Sequence, residues 1–225
     1  MPTHQEIGGM SDEQLLQRMV TSHAERFGES FWQFLSSEVL PRVPPSPVVM
    51  DLGCGPGLFL QDVAARYTPA ALYGYDVTPA MIQHAQQLTY RGLTPTLAIH
   101  DLTAAPLPVA AGSVHLIHMS AVLHVLDDPM PVLAEIQRLL APGGVFVLND
   151  WVRSSLEAYV TSRTDLNAAD PVAERRRVFR LFPAHNKYTA DDWHWLLRTH
   201  GFHVHRAVQL RPHFQVFVTT PMAGH

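Results

Sequence analysis

The run Val48-Val49-Met50-Asp51-Leu52-Gly53-Cys54-Gly55-Pro56-Gly57 restricts what this chain can become more than any other stretch. Its apolar residues suit a parallel strand buried on both faces, and the strand stops at an acid. Glycine then falls at alternate positions, which permits positive φ and leaves a stretch of backbone clear of side chains. The pattern predicts a strand, a loop that can seat a small ligand, and a helix opening near Pro56 with Leu58, Phe59, Leu60 and Val63 on its buried face. It reads as the floor of a nucleoside-type cofactor site.

Glycine spacing narrows the choice of ligand. A dinucleotide fingerprint needs a third glycine where this chain has Leu58, and a phosphate-binding P-loop needs a lysine where there is none, Lys187 being the only one present. Further strands are predicted at Ala71 to Asp76, Thr96 to Asp101, Val114 to Met119, and from Val145 after Leu139-Leu140-Ala141-Pro142-Gly143-Gly144. The first two of these end in acids. Asp76 stands about 20 residues past the glycine loop, where a βαβ unit delivers a carboxylate to ribose hydroxyls. Thr78 and Pro79 open the next helix as N-cap and first residue.

The segment Asp51 to Gly57 resembles motif I of class I S-adenosylmethionine (SAM)-dependent methyltransferases, of the small-molecule, type 11/25-like kind. The likeness continues through Val77 to Ile82, through Ser120-Ala121-Val122-Leu123-His124-Val125-Leu126-Asp127-Asp128-Pro129, and through the Pro142-Gly143-Gly144 element, so that it covers roughly residues 45 to 150. It implies an α/β, Rossmann-like, seven-stranded and mostly parallel sheet of order 3-2-1-4-5-7-6, with the last strand antiparallel and helices on both faces. It also implies SAM as cofactor and S-adenosylhomocysteine as product. Asp51, Gly53, Cys54 and Gly55 would form the cofactor loop, Asp76 the ribose clamp, and Val77 and Met81 the flanks of the adenine. Asp101 and the backbone of Leu102 would read the adenine edge, while Met119 and Ser120 supply the fourth strand end.

With 225 residues, 47% hydrophobic and 16% charged, the chain can bury one core and is expected to form a single domain, residues 1–225. Within it, 1–44 reads as an N-terminal helical cap over the cofactor, and 151–188 as a lid-like helical insertion after strand five. Ser11 opens one cap helix bearing Leu15, Leu16, Met19 and Val20, and Glu29 another bearing Phe31, Trp32, Phe34 and Leu35. Phe202 to Leu210 and Phe214 to Thr220 form a closing hairpin that turns at Arg211-Pro212. A net charge of −4 provides no basic face for nucleic acid, and no apolar run or leader-type start points to a membrane. A cytoplasmic monomer or homodimer acting on a small molecule is the expectation.

Methyl transfer from a sulfonium is an in-line displacement, so positioning does most of what the protein must do. A hydroxyl or protonated nitrogen acceptor also needs a base, which makes His124 the catalytic candidate, with Asp150 orienting the acceptor or else capping the next helix. His118 alternates with Leu116 and Ser120 and reads as a core histidine. Trp151 and Tyr188 bracket the insertion and are the substrate-contact candidates. Arg175, Arg176, Arg177 and Arg180 read as a solvated helix face, and Cys54 as a small packed residue. His203 and His205 lack a third ligand at metal spacing, so no metal is expected. The motifs of DNA-base methyltransferases are missing after strand four, and Asn149, Asp127, Asp128 and Asp150 do not match the spacing of the metal-dependent catechol type. A nucleic-acid or protein methyltransferase, or a non-catalytic SAM-binding subunit, remains the alternative.

Overall fold

The protein is described from a computed structural model covering residues 3–104, 106–165 and 167–222; Met1 and Pro2 of the cap, and Leu166 of the insertion, lie outside the described residues. Seven strands, β1 (Val48–Leu52), β2 (Ala71–Asp76), β3 (Thr96–Ile99), β4 (Val114–Ser120), β5 (Leu140–Trp151), β6 (Phe202–Arg211) and β7 (Phe214–Pro221), form one sheet of order β3-β2-β1-β4-β5-β7-β6. β7 runs antiparallel to both its neighbours, and the remaining pairs are parallel. The expected fold class is present, down to the strand order.

Apolar side chains on both faces of the central strands explain why the sheet is covered on both sides. Met50 and Leu52 pack into one cluster with Ile117, Phe146 and Phe217, while Val49 joins Leu116, Val147 and Val218 in the other. Register also fixes polar neighbours. Asp51 lies opposite His118, and Ser120 opposite Asn149. Because paired residues on parallel strands project to the same face, His118 Nδ1 reaches Asp51 Oδ1 at 2.7 Å, and Asn149 Nδ2 donates to Ser120 Oγ at 3.2 Å.

The helices between strands follow the predicted order: α5 (Leu58–Arg66), α6 (Pro79–Gln87) and α7 (Met130–Leu139). Three local expectations are corrected. α5 begins at Leu58 rather than near Pro56, because Gly57 sits at φ 81° and no helix can pass through a left-handed residue. The final hairpin turns at Pro212-His213, with His213 at φ 62°, since Arg211 still pairs with Phe214. β3 stops at Ile99, which leaves Asp101 on the loop beyond it.

Before the sheet come α1 (His4–Gly8), α2 (Asp12–Thr21), α3 (His23–Arg26) and α4 (Glu29–Phe34), the last running into a π turn at Leu35–Val39. Ser11 caps α2 by accepting from Gln14 N–H. The insertion holds α8 (Leu156–Arg163) and α9 (Pro171–His185), and α10 (Ala190–Thr199) leads into the hairpin. Trp193 is buried and Trp195 is 64% exposed, as two positions apart on a helix requires.

Candidate functional site

At the carboxyl end of the sheet, a cavity of about 280 Å³ lies over the glycine loop and beneath α1 and α2. Gly53, Gly55, Asp76, Val77, Met81, Asp101, Leu102 and Ser120 line it, as does Trp151. Gly55, at φ 52°, would direct a side chain into open space, with the roof residue Met19 the nearest atom at 3.9 Å. Gly57, at φ 81°, has no such freedom, because a Cβ there would stand 2.6 Å from Ala85 Cβ. The Asp76 carboxylate accepts from Gly55 N–H at 2.8 Å and from Thr78 N–H at 2.9 Å, which fixes its orientation toward the cavity. Burial outweighs these bonds and raises its pKa above the usual carboxylate value. Bare backbone beside an oriented carboxylate suits a ribose, and the half-exposed Val77 with Met81 and Leu102 suits an adenine, so the residues present fit an adenosyl ligand.

The other predicted cofactor residues lie nearby but not all on this wall. Asp51 and Cys54 border a side cavity of about 20 Å³ that also touches Gly53, Gly55, Ser120 and Arg26. Burial, with Asp76 and Asp51 adding to it, pushes the Cys54 thiol well up, which matches a packed residue rather than a nucleophile. Met119 is fully buried in the core. The Asp101 carboxylate is turned to Thr103, accepting from its N–H at 2.8 Å and its hydroxyl at 2.7 Å, and these bonds lower its pKa.

A chain of three side chains runs from the end of β5 to His4 on the cavity wall. Asp150, fully buried at the end of β5, accepts from His124 Nδ1–H at 2.6 Å and from Trp151 N–H at 2.7 Å. It orients His124 instead of capping the insertion; Ser155 caps α8. His124 Nε2 in turn meets His4 Nε2, contributed by α1, at 3.0 Å. With Nδ1–H given to Asp150, His124 is left a lone pair on Nε2, so His4 must be the donor between the two rings. His4 lines the cavity, whereas His124 is covered by it. Burial first, then His124 and Arg163, lower the His4 pKa to about 3, so that ring stays neutral.

His185, at the end of α9, stacks on Trp151 with ring centroids 3.9 Å apart, and its Nδ1 lies 2.6 Å from the Tyr159 hydroxyl. Its Nε2 is buried without a partner. His4, His124 and His185 each bring a nitrogen within 4.8 Å of the others, the one such group among the described residues with room for a metal ion. Asp127 and Asp128 are exposed, whereas Asn149 and Asp150 are buried. Tyr188 packs on Trp193, centroids 4.5 Å apart, and does not line the cavity. Arg175, Arg176 and Arg180 are exposed, whereas Arg177 is buried against Glu174.

Sequence reading missed His4, His185, Arg26, Arg163 and Arg211, all of which line the cavity. They come from α1, α9, α3, α8 and the end of β6, and nothing local marks any of them.

Residues 50–148 match the family described as a methyltransferase domain, which spans the glycine loop, Asp76, Asp101 and His124. The match covers 99 of the 225 residues, and with the sheet order it supports a fold of the class I SAM-dependent methyltransferase kind. Over 116 residues it is 40% identical to the trans-aconitate 2-methyltransferase of Methylobacterium radiotolerans, covering 50% of this chain and 42% of that protein. Over 108 residues it is 31% identical to the malonyl-[acyl-carrier protein] O-methyltransferase of Hahella chejuensis, covering 48% and 38%. The chain thus spans less than half the length of these relatives. Its fold is similar to that of a SAM dependent methyltransferase from Aquifex aeolicus, with a TM-score of 0.61, 18% identity, and 93% and 98% of the two chains covered.

Proposed function

We propose that this protein transfers the methyl group of SAM to an oxygen or nitrogen of a small-molecule acceptor, with the chain Asp150–His124–His4 taking up the acceptor's proton. The observation that carries the reading is the unbroken run of hydrogen bonds, 2.6 Å and then 3.0 Å, from a fully buried carboxylate to a ring on the cavity wall. Bound over Gly53 and Gly55, SAM supplies a methyl carbon already activated by a sulfonium. Asp76 holds the ribose, Val77, Met81 and Leu102 enclose the base, and the roof of α1 and α2 excludes water.

His4 accepts the proton at Nδ1 and passes the one on Nε2 to His124. The positive charge then rests on His124, where the Asp150 carboxylate offsets it. A ring held neutral by burial relays a proton better than it keeps one, which reconciles the depressed pKa of His4 with its place in the chain. A cavity of about 280 Å³ beneath two helices favours a small acceptor over a nucleic acid or a protein, and one matched relative is by name an O-methyltransferase.

The test is methyl transfer from labelled SAM into a pool of small metabolites, followed by kinetics on the acceptor found. His124→Ala and Asp150→Asn are expected to lower kcat by about 100-fold or more, the usual range for general-base loss, with S-adenosylhomocysteine affinity unchanged. Full turnover in both variants would reject the proton relay.

A further inference from the structure

Five arginines reach the cavity wall, and they are of two kinds. Arg18 and Arg177 pair with Glu174, at 3.4 and 2.6 Å. Arg26, Arg163 and Arg211 meet no carboxylate within ion-pair distance among the described residues. Arg26 donates from Nη2 to the Met19 carbonyl at 2.7 Å, but its Nε is buried without a partner. The Arg211 guanidinium lies 3.3 Å from the centroid of the Phe214 ring, with Nε and Nη2 both buried and unpartnered. Arg163 stands 5.2 Å from the centroid of Trp151.

Guanidinium groups hold their charge even when desolvated, so several of them around one cavity, with donors unmet, form an arrangement that an anion completes. Burial, followed by repulsion from Arg26 and Arg163, lowers the Arg211 pKa to about 9, still well above neutrality. Arg26 borders the side cavity beside Gly53, Gly55 and Ser120, where it would hold the carboxylate of SAM. Arg163 and Arg211 remain, on the side of Trp151 and Phe214, and the sulfonium of bound SAM adds a further positive charge to their surroundings. Glu25 lies on the same wall and acts on all three arginines, as Asp51 does on Arg26 and Asp150 on Arg211, but none of these carboxylates closes an ion pair with them, so the unmet donors leave room for a further anionic group.

We propose that the methyl acceptor carries a carboxylate, gripped by Arg163 and Arg211 over the Trp151 and Phe214 rings, and presents a separate hydroxyl or amine to His4. This rests on the reading of His4 as the cavity end of the proton relay. His185 supplies a further donor to the same group. The Tyr159 hydroxyl has His185 Nδ1 as its partner, and donating there leaves the hydrogen of the neutral ring on the unpartnered Nε2.

The experiment titrates matched acids and primary amides (malonate and malonamide, lactate and lactamide, citrate and its triamide) into the full chain loaded with S-adenosylhomocysteine, by calorimetry at pH 7.5. At least one acid is expected to bind tenfold or more tightly than its amide. Arg163→Met and Arg211→Met should each weaken that acid at least tenfold while S-adenosylhomocysteine affinity moves less than threefold. Arg163→Lys, which keeps the charge, should recover part of the loss. If Arg211→Met fails to fold by circular dichroism, the Arg163 pair decides. Amides binding as tightly as acids, acids indifferent to both arginines, or no acid binding at all would each overturn the proposal. The two readings fail separately: full turnover in His124→Ala with acid selectivity intact removes the relay and leaves the arginine site. Loss of turnover in His124→Ala with no acid bound does the reverse.

Discussion

Asp76 sits where backbone chemistry alone would put a ribose carboxylate, at the end of β2 with two N–H groups pinning it. Replacing it by alanine removes a charge-assisted acceptor, so S-adenosylhomocysteine affinity should fall about 10- to 100-fold by calorimetry, with the thermal midpoint little changed. An affinity within twofold of wild type would take the ribose role away from this residue. Asp76, Gly53 and Gly55 were legible in the sequence because each answers a local demand, a strand end or a backbone free of side chains. His124 and Asp150 were singled out too, but their bond was not, since it depends on β4 and β5 lying side by side. His4, His185, Arg163 and Arg211 gave no signal, because their meaning arises only where four separate elements converge on one cavity.

Among the elements, the N-terminal helices divide into two by how they are held. Phe31 and Trp32 of α4 are buried, Trp32 stacking on Phe59 at 5.7 Å, and each such side chain contributes about 1.5–3 kcal/mol. α2 and α3 bury no residue, and α1 buries only Gln5 and Gly8. The apolar stripe of α2 that the sequence predicts is real, but Leu15 and Met19 face the cavity instead of the core. A roof attached this lightly is the element expected to open first. In hydrogen exchange, residues 4–26 are expected to be protected less than α4, and to gain protection when S-adenosylhomocysteine is bound. Equal protection of α2 and α4 in the free protein would contradict a hinged roof. The Gln5 side chain, bonded to Thr78 at 3.1 Å, ties this roof to the turn between β2 and α6 and also takes the hydroxyl the sequence assigns to capping α6.

For the molecule as a whole, the histidines set the response to acid. His4 and His185 are pushed below their ordinary value of 6.5, His4 to about 3, with burial the leading cause in both. Below pH 6.5 the unfolded chain therefore binds protons that the folded chain refuses, and stability falls as the pH drops toward 3. Asp76, raised by burial, works in the opposite sense but only near the ordinary carboxylate range. The urea midpoint should decline between pH 7.5 and 5.5, and decline less in His4→Gln, which has no proton to take up at that position. A flat profile, or the same slope in the variant, would refute this account. Strand order was legible at this scale only through the resemblance carried by the motifs between residues 45 and 150, because strand ends by themselves do not say which strands pair. The packing of the insertion against the N-terminal helices, through Arg18 and Glu174, was not, as it pairs residues far apart in the chain.

The position of His4 has a practical corollary for whoever prepares this protein. Bulk introduced at the start of α1 would hang from the helix that covers the cavity, within one turn of the ring that meets His124. Such a variant is expected to fold and to take up S-adenosylhomocysteine as the parent does, and to turn over more slowly.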